Sequence, residues 1–329
     1  MLKIRWGLLS TANINRRLIP AIHESARGEL VAIASRSLAS AEAYAAKWQI
    51  PQTFGSYEAM LASDAVDAVY VSLPNHLHAE WSVKAMWQGK HVLCEKPFAL
   101  TLAEVDEMTA VSQQTDTVLT EAFMYRHHPQ TKIVGEWVRN GRLGRITLVR
   151  AVFNYAIANR DDIRLVPEWG GGCLWDVGVY PLSLAQFIMG GPPQQVAGNQ
   201  WLGESGVDEV FSGQMQYANG SVAQISASFC TPWHTYAEII GTEGRMTINR
   251  PFTGHNDGQR KLLFYPKDGE PEEIPVPKKS LYLGEVEDMH DAILDGRSNT
   301  LTLTETRNHI KTVLALYHSA QTNQIVTLA

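Results

Sequence analysis

The tripeptide Glu95-Lys96-Pro97 constrains the fold of this chain more than any other stretch. It closes the apolar run Lys90-His91-Val92-Leu93-Cys94, which follows Gly89 and reads as a buried parallel strand. Pro97 lacks a backbone donor and has a fixed φ, so the strand stops there and Lys96 is held extended. Ligands of open α/β sheets gather just outside the carboxyl ends of the strands. Lys96 is therefore expected where a ligand lies. Taken alone, the three residues also fit a solvated strand-to-helix loop; the flanking pattern decides between the two.

Strand-like runs recur at 3–9, 30–34, 53–54, 67–73 and 117–122, with helical stretches between them. Ser37 caps one helix, and Thr101 with Glu104 forms a capping box for another. This alternation predicts an α/β fold, an N-terminal Rossmann doubly wound parallel sheet. Beyond Gly144 the pattern changes. Runs at 146–155, 194–201, 207–217, 222–229, 235–240 and 245–248 follow in series, with a hairpin signal at Asn219-Gly220. Helices are expected over 282–295 and 305–321, the second behind a Thr302/Glu305 capping box. The C-terminal part is thus expected to be an α+β domain with an open, mostly antiparallel sheet. At 329 residues the chain is long enough for two domains, placed at 1–122 and 123–329.

Charge and cysteine usage narrow the partners. The net charge is −6 and no basic block occurs, which argues against nucleic acid. Cys94, Cys173 and Cys230 are far apart, with neither metal-type spacing nor a disulfide framework. The N-terminus enters a strand without an apolar leader, and the apolar stretch 173–189 contains Asp176, Tyr180, Pro181 and Gln186, so it reads as a core helix. A cytoplasmic protein with no membrane segment is expected. No metal is expected either: His76 and His78 are two apart and face different ways on a helix.

A dinucleotide crevice makes further residues candidates. After the first strand, Ser10-Thr11-Ala12-Asn13-Ile14-Asn15 stands where a glycine fingerprint would let backbone approach a pyrophosphate. Small side chains and hydroxyls there suit either a phosphate site or an ordinary turn. The second strand ends in Ser35-Arg36 instead of an acidic residue, which favours a 2′-phosphate and so NADP over NAD. Leu73, Pro74 and Asn75, and more weakly His78, follow another strand at the same edge. In the C-terminal part, Gly170-Gly171-Gly172 precedes Asp176 and Tyr180. The glycines permit close backbone approach to a ligand, and residues four apart share a helix face. The acid and phenol then either hold a polyol hydroxyl or bond each other in the core.

Together these segments resemble the glucose–fructose oxidoreductase and inositol dehydrogenase family over nearly the whole chain. Tyr180, Glu121-Ala122-Phe123-Met124-Tyr125-Arg126 and Asp162-Ile163-Arg164-Leu165 are similar to the branch of dimeric dihydrodiol dehydrogenases and D-xylose dehydrogenases. Ser10 and Ala12 depart from the wider family's glycines. The resemblance implies an NADP-dependent oxidoreductase of a sugar or diol, paired as a homodimer through the open face of the C-terminal sheet. It implies that Tyr180 is the general acid/base, that Lys96 lowers the phenol's pKa from its usual value near ~10, and that Asp176 orients the substrate or Lys96. Glu95, Lys96, Trp169 and Tyr282 are then expected at the cofactor, and Arg164 at the sugar. Two alternatives share the architecture: a hydrolase that keeps its nicotinamide through a redox-neutral elimination, and a non-catalytic sensor. The presence of both Lys96 and Tyr180 argues against the sensor.

Overall fold

Short apolar strands alternating with helices produce the first of two units in the computed structural model, which describes residues 2–253 and 260–328. The elements are β1 (Ile4–Leu9), α1 (Asn15–Glu24), β2 (Gly28–Ala34), α2 (Leu38–Trp48), β3 (Gln52–Phe54), α3 (Tyr57–Leu61), β4 (Ala68–Val71), α4 (His78–Trp87), β5 (His91–Glu95), α5 (Leu102–Thr115) and β6 (Leu119–Ala122). The strands run parallel in the order β3-β2-β1-β4-β5-β6. The order reverses between β1 and β4, which opens a crevice at their carboxyl ends. Trp6, Leu8, Tyr70 and Leu93 lie in the core between the helical layers, as expected for strands covered on both faces. The expected caps form: Ser37 receives the Ser40 amide, and Thr101 and Glu104 bond reciprocally.

The second unit starts at His128 and contains α6 (Pro129–Arg139), β7 (Ile146–Ala156), α7 (Val179–Met189), β8 (Gln195–Leu202), β9 (Asp208–Gln216), β10 (Val222–Ser228), β11 (Cys230–Gly241), β12 (Gly244–Asn249), β13 (Leu262–Pro266) and β14 (Glu272–Ile274). Their sheet is mostly antiparallel, as expected, but β7 and β10 run parallel. The strands β13 and β14 extend one edge beyond the runs the sequence suggested. One face of β9 and β10 carries Ser212, Gln214, Gln216 and Gln224, all exposed, beside Arg150.

The chain then returns to the first unit over Ser280–Thr306. This differs from a single division at 122/123. The cause is α8 (Leu283–Asp295), whose Val286 and Met289 enter the core with Trp6, Leu18 and Ile22. Trp6 Nε1 donates to His290 Nε2 at 3.0 Å. Arg27 pairs with Glu287 at 2.8 Å, Asp291 at 2.5 Å and Asp295 at 3.1 Å. The last helix, α9 (Leu303–Thr322), belongs to the second unit from Arg307, where β15 (Val326–Thr327) pairs with β8. Among the described residues, no helix is long and apolar enough to cross a membrane.

Candidate active site

The turn after β1 keeps a glycine-like backbone without a glycine. Ser10 has φ 122°, a region disfavoured for side chains with a Cβ. Hydrogen bonds hold it there. Its hydroxyl lies 3.1 Å from the Ser72 carbonyl and receives the Ala12 amide at 3.1 Å. Asn15 Nδ2 donates to the Ser10 carbonyl at 2.8 Å, and Ser72 Oγ donates to Asn15 Oδ1 at 2.7 Å. The Ser10 hydroxyl expected to meet phosphate is thus tied to the end of β4. No side chain caps the start of α1, whose first turn carries Arg16 and Arg17. Thr11, Ala12 and Ile14 are half-buried around this turn, and Asn13 is exposed. The Asn15 and Arg17 amides already donate to the Ala12 and Ile14 carbonyls at 3.1 and 2.8 Å, so this helix start offers an anionic group its dipole and the adjacent cations.

At the end of β2, Ser35 is buried and its hydroxyl receives the Ser37 amide at 3.4 Å, while Arg36 is exposed. Leu73, Pro74 and Asn75 line the same edge after β4, with Pro74 and Asn75 half-buried. His78 is 1% exposed, with its ring nitrogens against the Leu73 and Pro97 carbonyls.

The Glu95-Lys96-Pro97 segment sits at the end of β5, next to β4 and β6, as the sequence predicts. Lys96 is half-buried. Its amide donates to Glu95 Oε2 at 3.1 Å, and the Tyr70 hydroxyl donates to Glu95 Oε1. Phe98 N donates to Glu121 Oε1 at 3.1 Å, and Thr306 Oγ1 donates to Glu121 Oε2 at 3.0 Å. Burial and the Glu95 and Glu285 carboxylates raise the Tyr70 phenol well above its ordinary value. Tyr282, at the start of α8, is raised by burial and then by the same two carboxylates, against the lowering field of Arg17 and Arg16. It therefore shares its surroundings with both Glu95 and the first turn of α1. Burial also raises Glu285 well above the carboxylate range, and neither of its oxygens has a hydrogen-bond partner among the described residues. No local pattern marks Glu285, because its surroundings form only when α8 folds back.

In the second unit, Asp176 lies in a widened turn, Leu174–Gly178, with π-type hydrogen bonding, a form often found at functional sites. Its Oδ2 receives the Tyr155 hydroxyl at 2.7 Å and lies 3.1 Å from Arg164 Nε. Arg164 also reaches Asp162 at 3.1 Å. The Asp176 charge, ahead of opposing burial, holds the guanidinium above its usual pKa. Burial and then Asp176 push the Tyr155 phenol up. Tyr155 was missed because nothing in a strand's alternation marks it as the partner of an acid on a later helix.

Tyr180 is buried at 5% exposure, with its ring 5.4 Å from Phe153 and 5.7 Å from Phe252, measured between centroids. Trp169 is 40% exposed. Gly171 and Gly172 serve the protein's own packing. A Cβ on Gly171 would meet the Arg164 carbonyl at 2.6 Å, and one on Gly172 would meet Asp208 Oδ1 at 2.0 Å. Asp208 receives the Leu174 amide at 2.8 Å and the Tyr317 hydroxyl at 2.8 Å, which anchors the start of the Asp176 turn. The segment 251–260, one of the loops from which the sequence leaves a pocket to be built, is described only at 251–253 and 260, and 254–259 lie outside the described residues. Among the described residues, no group of three His, Cys, Asp or Glu is arranged to hold a metal.

Residues 4–123 match the oxidoreductase family with an NAD-binding Rossmann fold, and residues 131–247 match the GFO/IDH/MocA C-terminal domain. A D-xylose 1-dehydrogenase (NADP(+)) of Haloferax volcanii is 37% identical over 98% of this chain and 99% of its own length. The chain belongs to the GFO/IDH/MocA oxidoreductase family. A trans-1,2-dihydrobenzene-1,2-diol dehydrogenase of Xenopus tropicalis, another relative, is 30% identical over 74% of each chain. Among solved structures, a 3-ketoreductase from Actinomadura kijaniata, in complex with NADP and TDP-benzene, superposes with a TM-score of 0.90 at 29% identity, covering 96% of this chain and 98% of its own. The resemblance read from Glu95-Lys96-Pro97 and the 170–180 segment is thereby borne out at the level of family and fold. An oxidoreductase family also fits the crevice, where α1, with Arg16 and Arg17 in its first turn, follows a glycine-like turn.

Proposed function

We propose that this protein is an NADP-dependent oxidoreductase that moves a hydride between nicotinamide and a hydroxyl- or carbonyl-bearing carbon of a sugar or diol. The observation that carries the reading is the near full-length match to an NADP-dependent D-xylose dehydrogenase, joined to the ending of β2 in Ser35-Arg36. An acidic residue there would repel a 2′-phosphate, whereas a guanidinium pairs with it. Bound NADP supplies the hydride acceptor or donor. The turn of Ser10, Thr11, Ala12, Asn13 and Ile14, with Arg16 and Arg17, receives the pyrophosphate. Leu73, Pro74, Asn75, Glu95 and Tyr282 are assigned to the nicotinamide half, and Trp169 is assigned to the cofactor as well.

In this reading Tyr180 takes the hydroxyl proton during oxidation and returns it during reduction. Lys96 holds positive charge at the same oxygen and favours the phenolate. Asp176, fixed by Tyr155 and Arg164, orients a substrate hydroxyl. The protein works in the cytoplasm, where its three cysteines stay free thiols. It pairs with a second copy through the uncovered face of the C-terminal sheet, which a molar-mass measurement in solution tests. The function itself is tested by a spectrophotometric screen of aldoses and diols with NADP and NAD side by side. Turnover with NADP supports it. Copurified cofactor with no net redox change would favour the redox-neutral hydrolase, and ligand binding without turnover the sensor.

A further inference from the structure

The histidine that opens α4 has no part in the chemistry above, yet its position is tightly determined. His78 Nδ1 lies 2.8 Å from the Pro97 carbonyl, and His78 Nε2 lies 2.8 Å from the Leu73 carbonyl. The ring is 1% exposed, so these contacts are made without competition from water. The two carbonyls belong to different loops: Leu73 follows β4, and Pro97 directly follows Lys96. One imidazole therefore spans two neighbouring crossover loops at the carboxyl edge of the sheet. Next to it, the Phe98 amide donates to Glu121, so the chain just after Lys96 is held on both sides.

We infer that His78 is a positioning residue: it clamps the Lys96-Pro97 backbone to the end of β4 and so fixes where the Lys96 ammonium acts. It works through Pro97 and not by touching the cofactor, since both ring nitrogens already face protein carbonyls. The inference rests on the reading of Lys96 as the group that assists proton transfer. A neutral imidazole has one N–H and donates to one carbonyl; a charged one donates to both. Burial, then the positive charge of Lys96 and the neighbouring His76, keep the ring neutral, against the raising effect of the two carbonyls, with its pKa down at about 4. The clamp at neutral pH is thus one hydrogen bond with the ring wedged between two loops. A support of this kind matters because displacing a reacting group by about 1 Å costs on the order of a hundredfold in rate.

The test compares His78→Asn, Lys96→Ala and the double variant in kcat, KM, NADP affinity and thermal midpoint. The expected result is a loss in kcat of about 10- to 100-fold in His78→Asn, with NADP affinity and substrate KM little changed. In the Lys96→Ala background the same substitution should cost nothing further, because residues acting as one unit are non-additive. Full kcat in His78→Asn, or an equal further loss in the double variant, overturns the positioning role. Full turnover in Lys96→Ala would instead remove the reading beneath it. Should His78→Asn not fold, nitrogen-15 spectra of the wild-type histidines serve. One slowly exchanging ring N–H at neutral pH is expected for His78, and a ring that titrates near its free value with rapid exchange overturns the clamp.

Discussion

The Tyr155 hydroxyl donates to the Asp176 carboxylate at 2.7 Å, from the end of β7 to the turn before α7. Asp176 is thus fixed by a phenol on a strand and by Arg164 on a loop. Tyr155→Phe removes one bond to a charged acceptor, worth about 1.5–3 kcal/mol. The expected outcome is a fall of about tenfold or more in kcat/KM for the sugar or diol, with NADP affinity unchanged. Steady-state kinetics in both substrates check it. An unchanged kcat/KM would separate Asp176 from substrate orientation.

Arg36 follows β2 in place of the acid found in NAD-preferring sites. Arg36→Ala should raise the KM for NADP by roughly tenfold, equivalent to ~1.4 kcal/mol, and leave the KM for NAD almost unchanged. Parallel kinetics with the two cofactors give the answer. An equal effect on both would show that Arg36 reads no 2′-phosphate.

Ser10 occupies a positive-φ position that glycine adopts without strain. Ser10→Ala keeps that strain and loses the contacts with Ser72 and Ala12. Ser10→Gly loses the same contacts and relieves the strain. The glycine variant is therefore expected to be more stable than the alanine variant by about 1 kcal/mol, despite its smaller side chain. Denaturant unfolding of both variants measures the difference, and the reverse ranking would contradict the strain at this turn.

Two kinds of buried group, histidines and a glutamate, set opposite pH dependences. Burial holds His78, His128 and His290 down at about 4. A histidine with a depressed folded pKa contributes stability that is present above its unfolded value of about 6.5 and is lost as pH falls from there through the folded value. His290 makes the reason concrete: its Nε2 accepts from Trp6, and protonation there removes the acceptor. Stability measured by denaturant unfolding should therefore drop steadily between about pH 6.5 and 4. Glu285 behaves in the other sense. Its folded pKa is raised, so its contribution is full below the unfolded value near ~4.3 and lost as pH rises towards the folded one. Glu285→Gln should gain on wild type as pH rises above about 4.3, and a constant difference would show that Glu285 titrates normally.

The parts of this protein that depend on neighbouring residues were legible in the sequence. The strand ending at Glu95-Lys96-Pro97 was clear because proline stops a strand, and the Thr101/Glu104 capping box because it spans only three residues. What escaped depends on long-range pairing. Tyr155 meets Asp176 only once the sheet and the following turn have formed. The glycines at 171 and 172 looked like room for a ligand, but their crowding comes from Arg164, Val166 and Asp208, which no local pattern brings there. Helix α8 was visible as a helix, but its amphipathic face does not say which core receives it. Val286 and Met289 settle that by packing with Trp6.

In the proposed reaction Lys96 and Tyr180 carry the proton transfer that accompanies hydride movement. The most direct test is the turnover of wild type, Lys96→Ala and Tyr180→Phe with NADP and the best aldose or diol from the screen, each variant first shown to be folded and to bind NADP. The expected result is a loss in kcat of at least about a hundredfold in each variant, the scale of a lost general acid–base contribution. Wild-type kcat in both folded, NADP-binding variants would contradict it.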